Sequence, residues 1–533
     1  MVKNRSTLWY TALIIGWSFD LLYWGKPLGI SFFIQVVLLL AGLVILSRLE
    51  KKPPVTKSLP LILVILIFSS LGFLREEPFT RTLNHLMTIG FLGLFLLSFR
   101  GGRWFAYSLS DYIVGAFRLF VNSIALPFNL LTTKKEEKED TGEELPKLSG
   151  WKKSLPYIRG ILLALPVVAV LASLLAEADP IFSKWLQDII ELLRLEKLPE
   201  YILRLVFISI WTFLTGGLIL HALIKSEEET LVGVDKPWPP RFLGFTETTI
   251  VLGSVNLLFI SFVTIQFRYF FGGEKNISLQ GYTYSEYARR GFGELLAVAF
   301  FSLFLFMVLS AITKREKKRD RITFSVLTGM LTASIGVILV SSLQRLALYE
   351  TVYGFTRLRT YSHLCVLWIG VLFLAILILE IFQGWRYFTI ASLAAVAGFV
   401  LTMNVINVDG LITRQNIQRL KTEEASLDTH YLKTLSNDAI PDLIQLAENP
   451  TLTERESQEI AAVLACRVVE LEDKPQKWQG FLIPSYRAEK ALRENAHLWE
   501  NVQLKEDEWN SWYVEIGDEN FYCGYYYNAR AYD

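Results

Sequence analysis

Cysteine is scarce in this chain. Its 533 residues include only three cysteines, Cys365, Cys466 and Cys523, and no two of them form a C-x-x-C pair. This excludes a disulfide framework and a C-x-x-C zinc or redox site. Cys365 lies in an apolar run, which favours a small core residue. Cys466 and Cys523 can pair if their part of the chain lies outside the cell, but the sequence leaves their separation in space open.

Net charge is nearly absent as well. The 53 Lys and Arg residues are offset by 52 Asp and Glu residues, which leaves a net charge of +1. No overall positive field indicates a nucleic-acid partner. The basic residues therefore carry information only through their positions along the chain.

The familiar catalytic and cofactor-binding motifs are missing too. The sequence contains no G-x-x-x-x-G-K-[ST], H-E-x-x-H or G-x-S-x-G pattern. Its five histidines, His85, His221, His363, His430 and His497, are scattered along the chain. We therefore predict no catalytic residue, no cofactor and no metal site from the sequence.

Long apolar runs, in contrast, are abundant. Hydrophobic residues make up 52% of the sequence, and the mean hydropathy is +0.35. Since a membrane helix needs about 20 mostly apolar residues, the sequence predicts an all-α polytopic membrane protein with about eleven transmembrane helices. The first run has no small-residue cleavage site after it, so we interpret it as a retained helix rather than a signal peptide. The runs lie near 6–24, 28–47, 58–74, 82–99, 157–176, 201–224, 248–271, 291–312, 322–343, 362–383 and 387–405.

Composition divides the chain into four predicted parts. Residues 1–131 form an N-terminal membrane region of about four spans, in which 103–131 mixes aromatic and charged residues as interfacial helices do. Residues 132–156 are charged and predict a flexible cytoplasmic linker. Residues 157–405 form a membrane core of about seven spans. Residues 406–533 form a small soluble domain that is mostly helical and ends in an aromatic tail.

Local signals predict short helices within 406–533. Pro441 suits a first helical turn, and Thr453 and Glu456 have the spacing of a capping box. The aromatic tail predicts either a short hairpin or an irregular cap. Its Trp and Tyr side chains either pack on the helices of this domain or dock on lipid headgroups, on a polar cup at the outer face or on a partner.

Lys and Arg in short loops predict the orientation. The loop TKREKKRDR at 313–321 holds six of them, and RLEKKPPVTK after the second run is also basic. Such loops are typically cytoplasmic. The N-terminus is then inside, and the C-terminal domain lies outside.

Charged and aromatic residues gather at the predicted outer face. The stretches AEADPIF (176–182), YSEYARRGFGE (284–294), RLALYETVYGFTRLRTYSH (345–363) and NVDGLITRQN (407–416) all fall there, and Gly354 permits a bend. If they converge, they form a polar cup suited to phosphate or carboxylate, because arginine forks match such groups. The alternative is an internal salt-bridge network that holds helix ends together. The cup residues are Asp179, Glu286, Arg289, Arg290, Glu294, Arg345, Glu350, Tyr353, Arg357, Arg359, Asp409 and Arg414.

Three of these stretches also carry a family resemblance. YSEYARRGFGELLAV, RLALYETVYGFTRLRTY and NVINVDGLITRQNIQR, followed by LDTHYLKTLSNDAIPDLIQL, resemble the motifs of a bacterial multi-pass membrane family, domain of unknown function 4173, related to 4153. The resemblance covers most of the chain from about residue 157. It implies a protein of the bacterial plasma membrane and no particular activity.

The sequence leaves several functions open. We favour a non-enzymatic envelope scaffold or sensor, embedded in the lipid bilayer, whose polar cup binds an anionic lipid, a glycan or an envelope protein. The alternatives are a membrane enzyme that acts on a lipid-linked sugar or phospholipid, and a small-anion transporter. The enzyme hypothesis is weakened by the first outer loop, WGKPLG, because multi-span glycosyltransferases generally carry acidic residues in a long first outer loop.

Overall fold

Helices dominate the computed structural model of the chain. It describes residues 4–132, 168, 171–172, 174–185, 198–227, 241–271, 292–382, 384–422, 427–450, 452–472, 477–508 and 511–524. The first helices are α1 (Arg5–Tyr23), α2 (Ile30–Leu49), α3 (Leu59–Leu74), α4 (Pro78–Leu97) and α5 (Leu109–Thr132). They are followed by α6 (Leu198–Leu220), which continues as a π-helical turn (His221–Lys225), and by α7 (Phe245–Phe271), α8 (Phe292–Ile312), α9 (Lys318–Tyr353), α10 (Arg357–Ile381) and α11 (Phe388–Ile406).

Nine helices within the described ranges are long and apolar enough to cross a membrane. Eight coincide with predicted runs. The ninth, Leu109–Leu130, lies where the sequence predicts an interfacial helix, and its length and composition also fit a crossing. Helices α1 and α4 form where runs are predicted but are not among the nine, and the run near 157–176 falls largely outside the described residues. The chain is therefore a predominantly α-helical multi-pass membrane protein.

The C-terminal region, residues 408–522, contains short helices and one small sheet. Its helices are α12 (Val408–Thr422), α13 (Thr429–Lys433), α14 (Ile440–Ala447), α15 (Glu454–Glu472) and α16 (Ile483–Glu494). The antiparallel strands β1 (Leu504–Glu506), β2 (Trp512–Ile516) and β3 (Glu519–Tyr522) lie in sequence order, with Val514 opposite Phe521. Of the two conformations left open for the tail, residues 512–522 adopt the hairpin; residues 525–533 lie outside the described part.

Two local predictions for this region are confirmed. Pro441 lies in the first turn of α14, where its missing amide hydrogen costs no helical bond. The backbone amide of Thr453 donates to the Glu456 carboxylate at 2.9 Å, and the amide of Glu456 donates to the Thr453 hydroxyl at 3.3 Å. This reciprocal pair is a capping box.

The chain divides into two compact units. One comprises Gly25–Phe120 and His221–Asp533, and the other Asn4–Trp24 and Val121–Leu220. In the second unit α1 packs on α6, where the Nε of Arg204 donates to the buried Asp20 carboxylate at 2.8 Å. The pairing offsets the cost of a charge that the sequence places within an apolar run.

The helix ends of the first unit sort into two groups. At one end, here the capped end, the C-terminal region contacts the segments Gly29–Ile30, Arg75–Glu77, Gly354–Phe355 and Asn407. At the other end, here the basic end, the amide of Val55 donates to the carbonyl of Phe99 at 3.0 Å. Arg100, from the loop after α4, forms an ion pair there with Glu227. Leu243 forms a β-bridge with Thr313 at the same end. The basic loops 50–58 and 313–317 therefore lie opposite the C-terminal region.

One apolar core joins the C-terminal region to the spans. Leu364 of α10 and Met403 of α11 are buried in the same cluster as Val408, Ile412 and Leu443. The described residues of 406–524 therefore share a core with the membrane helices, although the composition of this region is that of a soluble domain.

A disulfide bond closes this core. Cys466 of α15 and Cys523, the residue after β3, are bonded and buried, with their Cα atoms 5.0 Å apart. The sequence left this pair open because it gives no distance between the two cysteines. The bond fixes the sheet to α15.

We expect the bond to be measurable in cells. Free thiols, here that of Cys365, are first blocked in the denatured protein. Reduction should then release two thiols, those of Cys466 and Cys523, so that a maleimide-polymer reagent adds two polymer units to the chain, seen as a shift in gel mobility. The double variant Cys466→Ser, Cys523→Ser should lower the free energy of unfolding by about 4 kcal/mol, as expected for a loop of this length. Cys365→Ser is the matched control. Three free thiols before reduction would contradict the pairing.

Candidate functional site

Arg357 and Asp409 form the centre of the capped end. The Nε of Arg357 donates to Asp409 Oδ1 at 2.8 Å, and its Nη2 donates to Oδ2 at 2.6 Å. Asp409 has no solvent exposure, and its Oδ2 also accepts the backbone amide of Ser436 at 2.7 Å. The amide of Arg357 donates to the Tyr431 hydroxyl at 2.7 Å. These bonds join the start of α10, the start of α12 and the segment around α13.

Arg359 caps the preceding helix. Its Nη1 donates to the carbonyl of Tyr353 at 3.1 Å and to that of Gly354, where α9 ends. Gly354 has a φ of 77°, a left-handed value that glycine adopts readily, which confirms the predicted bend. The guanidinium lies 4.2 Å from the centre of the Tyr349 ring. A cation is stabilised here by the negative end of the helix dipole.

A second arginine supports the same helix end. The Nε of Arg419 on α12 donates to the carbonyl of Thr351 at 2.8 Å. Asn416, one turn earlier on α12, accepts from the amide of Phe355 at 2.8 Å and donates to its carbonyl at 3.1 Å. The turn between α9 and α10 is thus held by α12, and neither Arg419 nor Asn416 was among the predicted cup residues.

Two further predicted cup residues, Glu350 and Arg345, contact side chains of neighbouring membrane helices. Glu350 of α9 is buried, and its Oε1 lies 3.1 Å from His363 Nδ1 on α10. Arg345, further into α9, lies 3.4 Å from Gln266 Oε1 on α7, which also accepts from Ser341 at 3.1 Å. These contacts link neighbouring helices within the bundle.

The loop between α3 and α4 forms a second cluster of charged residues, which the sequence did not predict. Arg75 Nη1 lies 3.2 Å from Asp438 Oδ1, and its Nε donates to the Asn404 carbonyl at 2.8 Å. Asp438 Oδ2 accepts the backbone amides of Glu76 at 2.7 Å and Glu77 at 3.3 Å. Three charged residues in a very short loop between apolar runs were the available signal.

The carboxylate of Glu76 is held between side chains of the C-terminal region. Its Oε1 accepts from Asn437 Nδ2 at 3.0 Å, and its Oε2 accepts from the Ser485 hydroxyl at 2.8 Å. Burial raises the pKa of Glu76, and the nearby charge of Asp438 raises it further. Glu76 therefore binds a proton more readily in the folded protein than in water.

Three of the remaining predicted cup residues, Arg414, Glu294 and Asp179, are among the described residues. Arg414 pairs with Asp442 at 3.0 Å at the surface of the C-terminal region. Glu294 is exposed in the first turn of α8. Asp179 belongs to the second compact unit, where it accepts the amide of Ile181 at 2.8 Å. Glu286, Arg289 and Arg290 lie outside the described residues.

A small cavity opens beside the turn between α9 and α10. It measures about 50 Å³ and is lined by Tyr353, Asn416, Arg419, Asp428 and Tyr431, among others. Its size suits one or two water molecules or a single small anionic group. Among the residues that the structure describes, no group of three or more His, Cys, Asp or Glu side chains could hold a metal ion.

Comparison with known proteins identifies a family. The model of a family described as Domain of unknown function (DUF4153) matches residues 60–446, which include the pair of Arg357 and Asp409 and the loop between α3 and α4 but not Ser485. No curated protein matches the chain significantly. No solved structure does so either.

The raised pKa of Glu76 predicts a specific pH dependence. Since the folded pKa lies above the ordinary value of 4.5, the folded state binds more protons than the unfolded state between these two values. The contribution of Glu76 to stability therefore grows as the pH falls from above the folded pKa towards 4.5. When the pH is lowered over about three units, from pH 8 to pH 5, we expect the Tm of Glu76→Gln to rise less than that of the wild type. The Tm is measured on the full chain in detergent. Equal pH slopes would show that Glu76 titrates normally.

Proposed function

Because the chain belongs to the family described as Domain of unknown function (DUF4153), a description that specifies no activity, we propose its function from its own contacts. The protein is a non-enzymatic scaffold or sensor of the bacterial cell envelope. The membrane helices carry the C-terminal region on the outer face of the plasma membrane, where that region meets an anionic lipid, a glycan or an envelope protein.

The observation that supports this proposal is that the charged side chains at the capped end bind partners within the protein. Arg357 binds Asp409 at the centre, Arg359 binds helix carbonyls, and Arg75 binds Asp438. Each contact joins two segments that are distant in sequence or closes a helix end. Such contacts favour a rigid platform, because breaking either partner of a buried ion pair is costly. The internal-network alternative for these arginines therefore has more support than an open anion cup.

An anionic group then has a narrower place to bind. Arg419 and the exposed Tyr353 both line the cavity beside the turn between α9 and α10. A guanidinium and a phenol are both hydrogen-bond donors suited to a phosphate or carboxylate oxygen. We assign the anion-sensing role to this cavity.

Two independent observations support an outer location of the C-terminal region. The disulfide between Cys466 and Cys523 is typical of an oxidising compartment. The basic loops 50–58 and 313–317 lie at the opposite end of the helices, as expected for cytoplasmic loops.

The test compares two arginine variants that change the net charge equally. Arg419→Ala removes the cavity donor, whereas Arg414→Ala removes a surface partner of Asp442 outside the cavity. We expect anionic lipids or glycans that copurify with the wild type, identified by mass spectrometry, to be lost from Arg419→Ala and retained by Arg414→Ala. Tm measurements establish that both variants are folded.

Two outcomes would count against the sensing role. If Arg419→Ala copurifies with the same anionic molecules as the wild type, the cavity does not bind them. If both variants lose them equally, the binding reflects overall charge rather than the cavity.

A further inference from the structure

The depth of the C-terminal region in the membrane is fixed by the start of α2. This helix has 20 residues, Ile30–Leu49. A helix of that length rises about 30 Å, which equals the thickness of the hydrocarbon core of a bilayer. From this match in length we infer that α2 begins at the boundary between hydrocarbon and headgroups, with Ile30 at that boundary.

The C-terminal region is bonded to this boundary residue. The backbone amide of Ile30 donates to the carbonyl of Phe481 at 3.1 Å. The backbones of Gly29 and Gly480 also lie so close that a Cβ atom on Gly29 would come within 2.4 Å of the Gly480 carbonyl carbon. Phe481 therefore lies at the same depth as Ile30.

Two exposed aromatic side chains lie beside Phe481. Trp478 is three residues earlier in a 3₁₀ turn, or about 6 Å away, and the ring centre of Tyr486 lies 6.1 Å from that of Phe481. The headgroup layer is about 5–8 Å thick on each side of the bilayer. The two residues therefore lie within or next to this layer, yet Trp478 is 55% exposed and Tyr486 56% exposed in the protein alone.

Basic side chains accompany the two aromatic rings. Lys477 and Arg487 are both exposed, and the Nζ of Lys477 donates to the carbonyl of Gly25 in the loop before α2 at 3.0 Å. Tryptophan and tyrosine are enriched at membrane interfaces because one part of the ring is apolar and the other forms hydrogen bonds. Lysine and arginine at this depth meet lipid phosphates.

We propose that Lys477, Trp478, Tyr486 and Arg487 form a surface that binds the phospholipid headgroup layer. This surface holds the C-terminal region against the bilayer, so that the region lies on the membrane instead of projecting from it. The proposal does not depend on the proposed function, since it holds for either leaflet.

The experiment measures the depth of Trp478 in the full chain. In a Cys365→Ala background, Trp478→Cys is labelled with a nitrobenzoxadiazole fluorophore and reconstituted into phosphatidylcholine vesicles. Acyl chains brominated near the headgroup should quench the label about twofold relative to unbrominated lipid, as expected for a group at the interface. Asp518→Cys, on the turn between β2 and β3, is the matched control and should be quenched little, because this hairpin packs on α15 within the C-terminal region.

A label at Tyr486→Cys keeps the test decisive if Trp478→Cys does not fold. The disulfide between Cys466 and Cys523 reports folding of each labelled variant. Greater quenching at 478 or 486 than at 518 supports the surface. Equal quenching at all three positions in folded protein would overturn it.

Discussion

The capped end depends on one buried carboxylate. Asp409 is removed from water, and an unpaired charge in such a place costs several kcal/mol. Arg357 meets that requirement with two hydrogen bonds, and the amide of Ser436 adds a third. Because Asp409 and these two partners come from three separate segments, their bonds fix the turn between α9 and α10, the direction in which α12 leaves the membrane, and the position of the C-terminal region on the helices. The second cluster, around Arg75 and Asp438, repeats this logic at the loop between α3 and α4.

In the proposed orientation, arginine at this end of the helices opposes the usual insertion bias, and the contacts explain why it is tolerated. Arg359 and Arg419 donate to the last carbonyls of α9, which lack partners within the helix. The cost of placing positive charge there is offset by the helix dipole and by hydrogen bonds to the carbonyls. In the basic loop 313–317, Arg315 instead pairs with buried Glu380 at 3.3 Å. Charged side chains therefore have different roles at the two ends of the bundle. At the capped end they cap helices and join segments, and at the basic end they anchor a loop.

Sequence patterns predicted the features that depend on neighbouring residues. Hydropathy predicted eight of the nine described helices that can cross a membrane. Glycine and capping preferences predicted the bend at Gly354 and the capping box of Thr453 and Glu456. The pairings across the fold were beyond such patterns, since Arg75 and Asp438 are 363 residues apart. The same limit left the disulfide open. The cup was a prediction of position only: the sequence showed which charges share an end of the helices, but not which of them face each other.

Hydrogen exchange of the full chain in detergent tests the central claim, that the pairing of Arg357 with the buried Asp409 holds the C-terminal region to the spans. The amides of Glu76 and Ser436, which donate to Asp438 and Asp409, should exchange slowly in the wild type. Arg357→Ala should speed both by roughly 100-fold or more, because removing one partner of a buried pair costs about 3–5 kcal/mol. Arg455→Ala, in an exposed pair with Glu459, should leave both unchanged. Unchanged protection of both amides in Arg357→Ala would contradict the account.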